Sequence, residues 1–203
     1  MAFLYALAVS KFPRKEEKMK VKKLVFSALM LALATVLSLL KIDMPLGGGL
    51  TIVSMLPIVI VAMRYNLCWG LAVSFLHGGI QLLLGLDNVA YANTLPVALA
   101  IIFLDYIIAY GVLGFTGIFK KRFKSIISAT VVGMALTFTL RFLCHFITGW
   151  VVWDALWPNE FGMVSPIYSL AYNGIYMIPE FILTFGVFIL LYKVNFFKRF
   201  PLN

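Results

Sequence analysis

Charged residues are scarce in this sequence. Lys, Arg, Asp and Glu make up only 12% of its 203 residues, while 63% are hydrophobic and the mean hydropathy is +1.00. A soluble domain needs more charge than this to hydrate its surface. The composition therefore excludes a soluble globular protein and indicates an integral membrane protein. The net charge of +9 comes from short basic runs between apolar stretches and not from one basic face, which argues against nucleic-acid binding.

Cysteines and catalytic motifs are also few. Cys68 and Cys144 lie in apolar segments without paired or metal-like spacing, so they indicate neither a disulfide framework nor a zinc site. No nucleotide-binding motif, H-E-x-x-H or G-x-S-x-G occurs. The run Gly47–Gly49 lacks the context of a phosphate loop and is read as a flexible outer loop and candidate lid. We therefore predict a protein that is not an enzyme, has no cofactor or bound metal, and draws any transport energy from an ion gradient or a partner.

Six apolar stretches predict an all-α protein with six transmembrane helices. Five of them, near 24–40, 67–85, 95–118, 126–152 and 172–192, have roughly the 20 residues that a bilayer crossing needs. The sixth, near 50–63, is shorter and contains Pro57, which favours a short or kinked helix. We predict one membrane domain over 19–199 and a tail over 200–203. Residues 1–18 place an apolar run before the charge cluster, the wrong order for a signal peptide, and we expect translation to start at Met19.

The loops between the predicted helices alternate in charge. With six spans, one side collects basic residues of the segments 11–23, 64, 120–124 and 193–199, while the other side carries Lys41 and several acids. Basic loops face the cytoplasm. Both termini are therefore predicted to be cytoplasmic.

Polar residues from three predicted helices converge on the outer half of the membrane. Asp105 lies near mid-depth, His145 toward the outer end of the fifth span, and Asn173 near the start of the sixth. Arg141 and His145 are four residues apart and share a helix face. Ionisable groups at such depth mark a functional site by default. This pattern predicts a site that captures a polar solute from outside.

Each of these residues also has a structural explanation. Arg141 can pair with a buried acid such as Asp105 or Glu180, and His145 can serve as an interhelical hydrogen-bond donor. Asp105 either pairs internally or meets a cation. The neighbouring Trp and Tyr residues fit an interfacial belt.

The combination of an acid with aromatic rings is more specific than either alone. Aromatic faces bind organic cations at about 0.5–2 kcal/mol per well-placed ring. Tyr168, Asn173 and His145 add directional donors and acceptors, which suit a heteroaromatic ring with exocyclic amines. The expected ligand is a positively charged, partly aromatic small molecule.

Four sequence segments carry a family resemblance: FLDY, RFLCHFITGWVVW, SPIYSLAYNGIYMIPE and GGGLTIVSMLPI. Over about residues 19 to 199 the chain resembles the thiamine-specific substrate-binding subunits (ThiT or YuaJ family) of energy-coupling factor transporters. This resemblance implies a six-helix protein of a prokaryotic plasma membrane that binds thiamine from outside. It also implies docking on a module of one transmembrane coupling subunit and two ATPases.

The resemblance also assigns residues to roles. It implies ligand binding by Asp105, His145, Trp153, Tyr168 and Asn173, with stacking on Trp153. Tyr91 is matched to a family tyrosine that precedes the acid, although its spacing to the acid is longer. The helix with Ala28 and Ala32 would contact the coupling subunit. A loop tryptophan of some members is replaced here by the sequence MPLGGGL.

Two further hypotheses stand beside this one. The first is a substrate-binding subunit for another cationic or aromatic vitamin. The second is a small intramembrane enzyme, which would need its acids near a nucleophile or metal site and not among aromatic rings.

Overall fold

The computed structural model describes residues 15–202, and all but short connections of this part of the chain is helical. The elements are α1 (Lys15–Leu39), β1 (Lys41–Asp43), β2 (Gly49–Thr51), α2 (Leu56–Arg64), α3 (Leu67–Leu84), α4 (Leu86–Ala90), α5 (Leu95–Phe119), α6 (Ile126–Leu156), α7 (Ser165–Lys193) and α8 (Phe196–Arg199). The backbone of residues 15–18 belongs to α1. The rest of the predicted N-terminal extension, residues 1–14, lies outside the described residues.

Five of these helices are long and apolar enough to cross a membrane, namely α1 from Met19 onward, α3, α5, α6 and α7. The prediction of an all-α polytopic membrane protein is confirmed. The last long helix, α7, begins at Ser165, earlier than the expected 172, because the polar residues of its first turns still form helix.

The sixth, shorter apolar stretch of the sequence corresponds to the short helix α2. Its nine residues span about 14 Å at 1.5 Å per residue, half of a hydrocarbon layer. All of them except Arg64 are buried, so α2 is enclosed by its neighbours. A helix that is apolar on every side belongs in such a core. The predicted short helix is confirmed, but its start is later than the expected residue 50, because residues 49–51 form a strand.

The predicted flexible loop over Gly47–Gly49 is part of a β-hairpin. Strands β1 and β2 pair antiparallel, with Lys41 opposite Thr51 and Asp43 opposite Gly49. Gly47 and Gly48 adopt φ of +95° and +74°, a region that glycine enters without steric cost. The glycines therefore make the tight turn that returns the chain toward the bundle.

Two of the long helices depart from regular α-helix. Helix α5 contains a π-helical segment over Ile101–Ile108, and α6 contains another over Gly149–Trp153. Such segments are rare and often occur at functional sites. Here they carry Asp105 and Trp153.

Lys120, just after α5, fixes the end of α2. Its ammonium donates to the carbonyl oxygens of Met63 at 3.1 Å and Tyr65 at 2.5 Å. Burial lowers the pKa of Lys120 from its ordinary value, and the charge of Lys121 acts in the same direction. A cation at the last carbonyls of a helix stabilises its C-terminus.

Candidate functional site

A cavity of about 510 Å³ opens between the β-hairpin and the hairpin-side ends of α1, α3, α5, α6 and α7. This volume lies within the range of small-molecule sites. Its lining includes Ser38, Lys41, Gln81, Asp105, Tyr106, Tyr110, Arg141, His145, Trp153, Asp154, Trp157, Tyr168, Asn173, Tyr176 and Glu180. Polar groups and aromatic rings thus line one cavity.

Asp105 is the centre of one wall. Its side chain lines the cavity and only 7% of the residue is exposed. Trp153 Nε1 donates to Asp105 Oδ2 at 2.8 Å, while Thr148 Oγ1 donates to Oδ1 and His145 Nδ1 lies 3.0 Å from Oδ1. Three donors from α6 therefore fix this carboxylate. In turn the carboxylate orients the indole and imidazole rings toward the cavity.

His145 and Asn173 lie side by side where α6 meets α7. Asn173 Nδ2 donates to the backbone oxygens of Ser169 at 2.9 Å and His145 at 3.2 Å. Tyr176 Oη donates to Asn173 Oδ1 at 2.7 Å. Gly149 permits this contact, because a Cβ there would lie 2.3 Å from Ser169 Oγ and 3.2 Å from Asn173 Nδ2. The close approach brings the predicted residues of two helices to one cavity wall.

Arg141 and Glu180 form a second buried group beneath this wall. Arg141 Nη1 donates to Glu180 Oε2 at 3.0 Å, and its guanidinium lies 4.8 Å from the ring centroid of Tyr110. Thr51, the last residue of β2, and Ser54, just after the hairpin, donate to Glu180 Oε1, the latter at 3.4 Å. The ion pair therefore connects α6 and α7 to the base of the hairpin.

Aromatic rings cluster around Trp153 and Trp157 of the cavity lining. The rings of Trp153 and Trp157 are nearly parallel, with centroids 5.6 Å apart and an interplanar angle of 5°. Tyr91 packs edge-on against Trp157 at 4.5 Å. Tyr168 donates from Oη to the carbonyl oxygen of Leu46 at 3.1 Å and so ties α7 to the hairpin.

The formal charge of the lining is negative. Acids are Asp105, Asp154 and Glu180, and bases are Lys41 and Arg141, which leaves one net negative charge with His145 neutral. A single negative charge beside aromatic faces complements a monovalent organic cation.

Five of the six predicted ligand-binding residues line the cavity: Asp105, His145, Trp153, Tyr168 and Asn173. Tyr91 does not line it. It is 54% exposed, and its ring packs on Trp157, which lines the cavity. Tyr91 ends the short helix α4, in the connection between α3 and α5.

Ala28 and Ala32, the predicted docking residues, are exposed on α1 and do not line the cavity. Their separation from the ligand site leaves that face of α1 available to another helix.

Several cavity residues were not among the predicted ones. Gln81 and Trp157 line it, and Tyr106 and Tyr110 complete the wall beside Asp105. A glutamine within an apolar span was a usable signal for Gln81. Trp157 follows the predicted span and carried no such signal.

A comparison with protein families matches residues 24–198 to the thiamine transporter protein family (Thia_YuaJ). The chain belongs to this family. Membership makes it a membrane transport protein and not an enzyme, which confirms the predicted class.

Two relatives agree with this placement. The chain is 32% identical to the thiamine transporter ThiT of Bacillus subtilis (strain 168) over 186 residues, which cover 84% of this chain and 90% of the relative. The solved structure of ThiT from Listeria monocytogenes is similar with a TM-score of 0.70 at 22% identity. That match covers 87% of this chain and 96% of the other. The structural match supports the fold of the family member described here.

Proposed function

We propose that this chain captures thiamine from outside the cell and binds it in the cavity beside Asp105. The observation that carries the proposal is a buried carboxylate that faces a cavity of about 510 Å³ and is hydrogen-bonded to the indole of Trp153. An acid and an aromatic face in one enclosed space suit a ligand that is both cationic and aromatic. Thiamine has a cationic thiazolium and an aminopyrimidine ring. Its transport by this family supports the choice.

In this proposal the aminopyrimidine stacks on Trp153. His145 and Asn173 sit on the same wall and supply directional polar contacts. The net negative lining then stabilises the thiazolium by charge and not by covalent chemistry. Tyr168 belongs to the site through its ring and through its bond to the hairpin, which closes the cavity.

We further propose that the chain is the substrate-binding subunit of an energy-coupling factor importer in a prokaryotic plasma membrane. The sequence carries no ATP-binding motif, so energy for uptake would come from a transmembrane coupling subunit with two ATPases. Ala28 and Ala32 form a small-xxx-small pair on the exposed face of α1, where a partner helix can approach closely. The basic loops support cytoplasmic termini.

Thermal unfolding of the purified protein tests the ligand. A ligand present at a hundred times its dissociation constant stabilises the folded state by about 2.7 kcal/mol. Thiamine should raise the unfolding temperature of ligand-free protein, whereas riboflavin and biotin should not. A rise with riboflavin or biotin and none with thiamine would favour the hypothesis of another vitamin.

Co-purification tests the partner. Ala28→Leu with Ala32→Leu should abolish co-purification with co-expressed coupling subunit and ATPases while thiamine binding persists. Ala155→Leu, at an exposed alanine near the end of α6, is the matched control and should co-purify normally. Normal co-purification of the α1 variant would reject this docking face.

A further inference from the structure

Gln81 is a buried amide on the wall that belongs to α1 and α3. Only 8% of the residue is exposed, and it lines the cavity. Gly78, one turn earlier on α3, lets this helix lie close to α5, because a Cβ there would lie 3.0 Å from the carbonyl oxygen of Tyr106. Helices α3 and α5 therefore touch at Tyr106, and Gln81 lies on the next turn of α3 toward the hairpin, near the level of Asp105.

The amide of Gln81 is held in one orientation. Its Nε2 donates to Ser38 Oγ at 2.8 Å, and Ser38 Oγ donates to the carbonyl oxygen of Thr35 at 2.7 Å. This chain of donors anchors the amide nitrogen on α1. Within residues 15–202, the side-chain hydrogen bond of Gln81 is made by Nε2, and Oε1 accepts none from the protein. A rigid carbonyl acceptor is thus available at a cavity wall.

The two buried carboxylates of the cavity already have donors from the protein. Asp105 accepts from Trp153 and Thr148 and contacts His145, while Glu180 accepts from Arg141 and from hydroxyl groups beside the hairpin. Gln81 Oε1 differs from them because no donor among the described residues occupies it, so it is open to a donor from the ligand.

We propose that Gln81 accepts a hydrogen bond from the hydroxyl of the ligand's hydroxyethyl arm and is a specificity-determining residue of the site. This inference rests on the proposed thiamine function. Thiamine carries polar groups at its two ends. When the aminopyrimidine binds at the wall of Asp105, His145 and Trp153, the hydroxyl group at the other end of thiamine lies against the wall formed by α1 and α3. Gln81 then recognises the free alcohol.

A cycle of two ligands and three proteins tests the proposal. The ligands are thiamine and an analogue with an ethyl group in place of the hydroxyethyl group. The proteins are the wild type, Gln81→Leu and Ser38→Ala, with dissociation constants measured by calorimetry. Wild type should bind thiamine about tenfold more tightly than the analogue, as one hydrogen bond predicts. In Gln81→Leu this preference should fall to nearly one, with affinity for the analogue retained.

Ser38→Ala keeps the amide but removes its anchor, so it should reduce the preference to an intermediate value. Ser38→Ala also tests the proposal if Gln81→Leu does not fold. A tenfold preference that persists in both variants would overturn the role of Gln81, and so would equal binding of the two ligands by the wild type. Wild-type protein that binds neither ligand would instead overturn the proposed thiamine function.

Discussion

The guanidinium of Arg141 pairs with Glu180 at 3.0 Å and not with Asp105. From the sequence alone, Arg141 could have paired with either Asp105 or Glu180. This choice matters because the guanidinium of Arg141 does not neutralise the charge of Asp105. Its contacts come instead from the neutral hydroxyl of Thr148, the neutral indole of Trp153 and the imidazole of His145. Arg141 and Glu180 balance each other, so the local charge available to a cation is that of Asp105.

The Arg141–Glu180 pair should be needed for stability. Glu180→Leu leaves a buried guanidinium without its counter-ion and should destabilise the protein by about 3–5 kcal/mol. Adding Arg141→Met should recover much of this loss, because no unpaired charge then remains. Unfolding temperatures of the wild type and the two variants in one detergent measure the effect. A double variant no more stable than Glu180→Leu would contradict the assigned pairing.

Asp105→Asn should weaken thiamine binding while the protein remains folded. The amide keeps the shape of the side chain but loses its charge, and a hydrogen bond to a charged group contributes about 1.5–3 kcal/mol, or roughly 10- to 100-fold in affinity. Calorimetric titration measures the change. Asp87→Asn is the matched control, because Asp87 lies on α4 and does not line the cavity. Unchanged affinity in Asp105→Asn would mean that the carboxylate serves only to orient Trp153 and His145.

The sequence was sufficient to predict the convergence of Asp105, His145 and Asn173. Apolar length fixes where helices cross, and a mid-helix acid must face the bundle interior because exposure to lipid is costly. Alternating direction of the spans then brings the three residues to the same half of the membrane. In the structure all three residues line one cavity.

Other features depend on tertiary packing that local sequence does not encode. The run MPLGGGL forms a hairpin because β1 and β2 pair with each other and Gly47 packs on Tyr172. The position of Trp157 depends on the loop after α6, where Asp154 accepts from Asn159 at 3.1 Å and from Ser165. Neither contact has a periodicity or spacing that the sequence displays.

The turn of the hairpin should control how long the ligand stays bound. Gly48 has a φ of +74°, and a Cβ there would lie 3.1 Å from Tyr172 Oη and 3.2 Å from Tyr176 Cδ1. Gly48→Ala should therefore lift the hairpin from α7 and accelerate thiamine release, which stopped-flow fluorescence can follow.

Gly162→Ala separates this effect from backbone strain alone. Gly162 also has a positive φ, +65°, but no atom lies within 4 Å of its added Cβ. Gly162→Ala should lower the free energy of unfolding by about 1 kcal/mol and leave the rate of thiamine release unchanged. Equal release rates in the two variants would show that contact between the hairpin and the α7 tyrosines does not retain the ligand.

Trp157 should contribute to affinity, and Tyr91 should act only through it. The Trp157 ring lines the cavity and stacks parallel to Trp153, whereas Tyr91 contacts the far side of this pair. Aromatic pairs contribute about 0.5–1.5 kcal/mol beyond buried area, so Trp157→Ala should weaken thiamine binding by roughly 2- to 10-fold. Tyr91→Ala should have a smaller effect that disappears in the Trp157→Ala background, because its only contact with the site is then gone. Additive losses in the double variant would instead place Tyr91 in direct contact with the ligand.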